Sequence, residues 1–271
     1  MTFEPTSLEH PCLKVSQLTV NYDKTPVLWD LTLTIPKGVL VGIIGPNGAG
    51  KSTFLKTILG LIKPISGRIE ILGNSIRKNK KRVAYVPQRE SVDWDFPITV
   101  LDLVLMGLYG KLGLCCYAGK REREQALKVL AKVEMDSYAH RQISQLSGGQ
   151  QQRAFLARAL IQDADVYFMD EPFAGVDITT SRIILSIFHE LKTQGKTIFV
   201  VHHDLETVKN TFDWVIMLNM RLVVCGEVAK VFTPELVHRT FGKENILLDE
   251  ATRLSQETFS GISTNSHMTD Q

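Results

Sequence analysis

The stretch that decides the fold runs from Val39 to Thr53, VLVGIIGPNGAGKST. Its first six residues are wholly apolar, as in a strand covered on both faces. The remainder, Gly45-Pro46-Asn47-Gly48-Ala49-Gly50-Lys51-Ser52-Thr53, contains the pattern G-x-x-x-x-G-K-[ST]. From Ser52 to Ile62 the residues Leu55, Ile58, Leu59 and Ile62 share one helical face, and Pro64 is the expected stop. Strand, glycine-rich turn and helix in this order are the context in which the pattern cradles phosphates. Glycines let successive backbone N–H groups turn inward around a phosphate chain, and the helix start adds partial positive charge. Lys51 is expected to neutralise the β- and γ-phosphates, and Ser52 to hold Mg²⁺.

Working outward, LKVSQLTV (13–20) and VLWDLTLTI (27–35) alternate apolar and polar side chains, which predicts half-buried antiparallel strands. The short apolar runs VYFM (166–169), TIFVV (197–201) and WVIML (214–218) join residues 39–44 as a parallel core. Between 99 and 162 the pattern is helical, with helices predicted over Thr99–Tyr109, Arg121–Met135 and Gly148–Gln162. The expected architecture is α/β: a P-loop core with an N-terminal antiparallel β lobe and a helical subdomain inserted at about 89–164, all within residues 13–240. Apolar periodicity weakens after Phe232, and residues 241–271 read as an extension polar enough to be loosely held.

Composition narrows the function classes. With 31 Lys+Arg against 29 Asp+Glu, the net charge of +2 gives no electrostatic footprint for nucleic acid. The basic run Arg77–Arg82 is expected to be a solvated loop. Cys12, Cys115, Cys116 and Cys225 form no CxxC or His-spaced set, so neither zinc nor a disulfide framework is indicated, and a reducing cytosol is the expected home. Glu4 and Glu9 stand where a secretory signal would be basic and apolar. No apolar run reaches the roughly 18 residues of a membrane span.

Two further motifs carry chemistry. Asp170 and Glu171 follow VYFM, which puts both carboxylates at the carboxyl edge of the parallel sheet beside the phosphate loop. The first can anchor Mg²⁺, and the second can orient or deprotonate an attacking water. Ser147, Gly148, Gly149 and Gln150 then form a possible serine cap and glycine pair before the helical run QQQRAFLARALI. That is a second anion-binding helix start. A chain with one complete phosphate loop has no need of it for the same nucleotide, which suggests that it serves the nucleotide of a second subunit.

The Leu146-Ser-Gly-Gly-Gln150 pentapeptide, the Lys51 loop and Asp170-Glu171 together resemble the ATP-binding cassette proteins over nearly the whole chain. The resemblance implies ATP as the nucleotide, and the absence of an NKxD guanine pattern agrees. It implies that Tyr22 stacks on adenine and that Gln88 reaches Mg²⁺ and the attacking water. It further implies that His203, directly before Asp204, contacts the γ-phosphate in preference to His202. Asp177 in FAGVD would communicate across a head-to-tail homodimer, although many cassettes carry SALD there. The stretch VPQRESVDWDFPITV (86–100), continuing to Met106-Gly107, resembles the ATPase subunits of bacterial manganese, zinc and iron importers. An importer of this kind would dock an integral membrane permease at the cytoplasmic face of the inner membrane and depend indirectly on an extracytoplasmic metal-binding protein. A cassette ATPase acting as an assembly or scaffold factor, without a permease, would carry the same ATP site. Trp94 and Phe96 can equally be core residues of the helical lobe.

Overall fold

The computed structural model describes residues 10–22, 25–112 and 118–242. Cys115, Cys116 and nearly all of the predicted extension lie outside the described residues. The chain opens with β1 (Leu13–Tyr22), β2 (Thr25–Ile35), β3 (Leu40–Ile44), α1 (Lys51–Ile58), β4 (Ser66–Ile71), α2 (Ile76–Asn79) and β5 (Val83–Val86). The helical segment follows as α3 (Val100–Met106), α4 (Tyr109–Leu112), α5 (Lys120–Lys132) and α6 (Gly148–Leu160). It returns to the sheet through β6 (Val166–Asp170), α7 (Ile178–Thr193), β7 (Thr197–Val201), α8 (Leu205–Thr211), β8 (Trp214–Asn219), β9 (Arg221–Glu227), α9 (Val228–Val231) and α10 (Pro234–Phe241).

Two sheets result, as the hydrophobic patterns require. The alternating segments form an antiparallel sheet of order β2-β1-β4. The apolar runs form a six-stranded sheet of order β5-β6-β7-β3-β8-β9, parallel except for the β8–β9 hairpin. Side chains alternate between its faces. Val166, Phe168, Phe199 and Val201 enter the core beneath the antiparallel sheet and α1, while Tyr167, Met169, Ile198 and Val200 enter the core shared with α3, α5, α6 and α7. Phe168 and Phe199 stack face to face across β6 and β7, with centroids 4.7 Å apart.

Several boundaries differ from the sequence expectation, each for a local reason. The alternation of β1 slips between Val15 and Leu18, and a bulge at Gln17, whose φ is +50°, restores both residues to the buried face. Strands β4 and β9 were not expected; each pairs antiparallel with a strand that was. Helix α1 ends at Ile58, short of Pro64, because Gly60 adopts φ +72° and the N–H groups of Gly60 and Leu61 close back on Thr57 and Lys56. The basic run forms helical turns, α2 and a 3₁₀ turn over Lys80–Arg82, with Asn79 buried beneath them. Past Phe232 the chain is ordered as α10: Thr233 caps it, Pro234 sits in its first turn, and Asn219 Nδ2 donates to the Thr240 carbonyl at 3.1 Å.

Because both stacked rings are fully buried, Phe168→Ala is expected to cost about 3–5 kcal/mol of folding stability, read as a lowered urea midpoint. An unchanged midpoint would contradict the stacked core.

Candidate active site

The parallel order β5-β6-β7-β3 brings four carboxyl ends to one edge, and each carries a residue singled out in the sequence. After β3 the phosphate loop wraps into α1. A Cβ at Gly45 would collide with the Leu218 carbonyl oxygen, and one at Gly50, where φ is +88°, would lie 2.5 Å from Leu28 Cδ2. Glycine is therefore demanded by space at the first position and by both space and backbone conformation at the second. The loop is pinned to the β8–β9 turn, where Met220 N–H donates to the Ala49 carbonyl at 3.1 Å. Lys51 is 7% exposed, and its ammonium donates to the Gly45 and Pro46 carbonyls at 2.8 and 2.9 Å. Burial pulls its pKa down, against the pull of Glu171 and then Asp170. Pro46, Asn47 and Gly48 face outward at the loop's rim, and Thr53 is buried in the first turn.

Alternation along β6 sends Asp170 to the same face as Val166 and Phe168, the face covered by α1. There Ser52 Oγ donates to Asp170 Oδ1 at 3.0 Å. Asp170 is 1% exposed, and burial raises its pKa, with the Ser52 hydrogen bond opposing and Glu171 reinforcing the shift. Glu171 takes φ +52°, a left-handed conformation costly for a non-glycine residue. Its Oε2 accepts from Gln88 Nε2 at 3.5 Å, so the end of β5 meets the end of β6. The oxygens of Ser52, Asp170 and Gln88 are the hard donors that suit Mg²⁺.

After β7, His202 turns to the face opposite Val201. It packs against Phe173 and Phe212 at centroid distances of 5.6 and 5.3 Å, with Nε2 2.7 Å from Thr207 Oγ1. Burial lowers its pKa. His203 is exposed. The structure thus gives the buried histidine a packing role and leaves His203 exposed at the sheet edge, its ring centroid 6.0 Å from that of His202. No group of three or more His, Cys, Asp or Glu among the described residues could hold a metal ion.

Ser147 caps α6 in a reciprocal box: its Oγ accepts from Gln150 N–H at 3.4 Å, and Gln150 Oε1 accepts from Ser147 N–H at 2.9 Å. Asp177 caps α7, where the backbone N–H and the hydroxyl of Thr180, at 2.8 and 3.0 Å, hold its carboxyl below the usual range. A Cβ on Gly149 would lie 3.3 Å from Asp177 Oδ2, so the two helix starts touch within one subunit. Tyr22 closes β1 opposite Thr25, and the expectation for its ring lies outside the described residues. Trp94 is half-buried edge-on against Phe155 at 5.1 Å, whereas Phe96 is 53% exposed. Sequence reasoning gave Arg89 no separate role, although its side chain lies against the Gly148 helix start.

A phosphate loop on a doubly covered parallel sheet, with two carboxylates at the next strand end but one, defines a P-loop nucleoside triphosphatase. The chain belongs to the ABC transporter family, whose description matches residues 28–174. It is 56% identical over 230 residues to the manganese transport system ATP-binding protein MntB of Bacillus subtilis (strain 168), covering 85% of this chain and 92% of that one. It is 55% identical over 230 residues to the zinc transport system ATP-binding protein TroB of Treponema pallidum (strain Nichols), covering 85% and 86%. Among solved structures it resembles the dimeric post-hydrolysis state of the ATP-binding cassette MJ0796 bound to ADP and Pi. The TM-score is 0.71 at 28% identity, over 80% of this chain and 98% of that one. The protein is an ABC-family ATPase that binds ATP. No helix among the described residues is long and apolar enough to cross a membrane.

The raised pKa of Asp170 has a definite sign. The folded chain holds its proton at pH values where the unfolded chain has released it, so stability falls as pH climbs from the ordinary aspartate range through the raised value. Asp170→Asn keeps an acceptor for Ser52 and removes the charge, and it is expected to raise the melting temperature of the nucleotide-free protein while abolishing ATPase activity. The gain in melting temperature should shrink as pH is lowered; a lower melting temperature at pH 7 would contradict the burial cost.

Proposed function

We propose that this ATPase energises import of a transition-metal ion, manganese, zinc or iron, through a separate integral membrane permease, from the cytoplasmic face of the cell membrane. The observation that carries the reading is the likeness, at more than half of aligned positions, to manganese and zinc transport subunits. The iron option rests on the resemblance over residues 86–107 alone. An extracytoplasmic metal-binding protein would deliver the ion to the permease. The working unit is residues 13–240, with the helical insertion at about 89–164 facing the permease. Exposed Phe96, Met106 and Tyr109 in that insertion support an apolar docking surface there.

Two copies would meet head to tail. Gly45–Thr53, Gln88, Asp170, Glu171 and His203 come from one copy and Ser147–Gln150 from the other, with Tyr22 against adenine and Asp177 at the junction. Entry of the triphosphate offers the Lys51 ammonium a charged partner in place of the Gly45 and Pro46 carbonyls. Ser52, Asp170 and Gln88 would hold Mg²⁺, which supplies charge neutralisation across the β- and γ-phosphates. Glu171 accepts the proton of the attacking water at a carboxylate oxygen, with Gln88 fixing that carboxylate. His203 donates toward the γ-phosphate oxygens. The Ser147 hydroxyl and the first N–H groups of α6, at Gly148 and Gly149, complete the anion cradle from the partner, since the Ser147 N–H is held by Gln150. Because the site is whole only in the closed dimer, hydrolysis and release of phosphate would reopen it and so work the permease.

Lys51→Ala is expected to weaken ATP binding by roughly tenfold or more, an ammonium–phosphate contact being among the stronger charge-assisted bonds, in a fluorescent-nucleotide titration. Glu171→Gln is expected to lower kcat by about a hundredfold or more and, with ATP, to run as a dimer in size exclusion; normal turnover would remove Glu171 as the base. For transport itself, cells lacking the chain should accumulate less manganese, zinc or iron by elemental mass spectrometry. The wild-type chain should restore the level and Glu171→Gln should not. Restoration by Glu171→Gln, or unchanged metal content in the deletion, would contradict the transport reading.

A further inference from the structure

Arg89 stands one residue beyond Gln88 and has no part in the reaction described above, yet its side chain occupies a decisive place. Its Nε donates to Gln151 Oε1 at 2.9 Å, and Gln151 is only 6% exposed, on the first turn of α6. The guanidinium lies directly over Gly148: a Cβ there would stand 2.7 Å from Nη1 and 2.9 Å from Cζ. A Cβ on Gly175, in the loop leading to Asp177, would be 3.9 Å from the same Nη1. On the far side of the glycine pair, a Cβ on Gly149 would lie 2.9 Å from Thr180 Oγ1. The backbone around Arg89 is itself fixed. Trp94 Nε1 donates to the Arg89 carbonyl at 2.9 Å while its ring leans on Phe155 of α6, and Ser91 bonds the Gln88 carbonyl through both N–H and Oγ.

From this packing we infer that Arg89 is a positioning residue: its guanidinium clamps the start of α6 to the segment that carries Gln88. Gln88 belongs to the nucleotide site of its own subunit, while Ser147–Gln150 completes the site of the partner. A planar, forked cation over a glycine leaves no room for a side chain at position 148, and lysine cannot reproduce the Nε bond to Gln151 together with that flat face. The clamp therefore sets the distance at which the α6 start meets the partner's nucleotide, and the inference rests on the shared-site reading given above.

The test uses the full chain in the Glu171→Gln background, with ATP-driven dimerisation followed by analytical ultracentrifugation and monomer ATP affinity by equilibrium titration. Arg89→Ala is expected to leave monomer affinity and melting temperature near those of the parent and to raise the ATP concentration for half-dimerisation roughly ten- to a hundredfold, the scale of a misplaced reacting partner. Arg89→Lys should not rescue it. Gly148→Ala, which displaces the guanidinium, should show the same defect, and adding Arg89→Ala to Gly148→Ala should not deepen it, because both substitutions remove the one clamp. Ser147→Arg serves as the reference for the shared site. If Ser147→Arg blocks dimerisation and Arg89→Ala dimerises like the parent, Arg89 has no positioning role. If Arg89→Ala lowers monomer affinity or melting temperature in proportion, the residue is a general structural support and the inference is overturned. If Ser147→Arg also dimerises normally, the shared-site reading falls and this inference with it.

Discussion

The hydrogen bond from Ser52 Oγ to Asp170 Oδ1, 3.0 Å long, is the contact on which the rest of the site depends. It joins the first turn of α1 to the end of β6, although β7 separates β6 from β3. Two inter-strand spacings amount to roughly 9–10 Å, so the bond forms only if the phosphate loop carries α1 back along the sheet edge and if β6 ends on the face that α1 covers. The parity of β6 satisfies the second condition, since Val166, Phe168 and Asp170 share that face. A slip of one residue would turn the carboxylate toward the helical insertion and bury it without a partner.

Around that bond the structure separates rigidity from reactivity. The phosphate loop is held by Leu218, Met220 and Leu28, none of which belongs to the chemistry. Asp170 is buried at an electrostatic cost, and Glu171 sits in a left-handed backbone conformation. The fold sustains both because two large apolar cores grip β6 from either side. Outside this rigid edge, the start of α6 touches the start of α7 on one side and Arg89 on the other, so the residues proposed to face a second subunit form one connected unit.

Much of this was legible in the sequence because it depends on local periodicity. The apolar runs gave the parallel strands, whereas the preference for His203 came from the family resemblance; the structure packs His202 with Phe173 and Phe212 and leaves His203 exposed. The serine cap of α6 was likewise readable from Ser147-Gly-Gly-Gln150. What escaped was set by contacts between distant segments or by backbone handedness. The bulge at Gln17 and the left-handed turn at Gly60 shift boundaries without changing composition. Helix α10 was hidden by weak apolar periodicity, although Thr233-Pro234 is a helix-start signal. The local duty of Asp177 as a helix cap and the seating of Arg89 on Gly148 require knowing which loops meet, and no single-segment pattern carries that.

The most direct test of the central claim, that this ATPase works a membrane permease, is affinity purification of Glu171→Gln with ATP from detergent-solubilised native membranes, followed by mass spectrometry of what is retained. The account predicts recovery of a multi-span membrane protein in fixed stoichiometry with the ATP-bound dimer. Recovery of the intact dimer with no membrane protein, or with water-soluble partners alone, would contradict it.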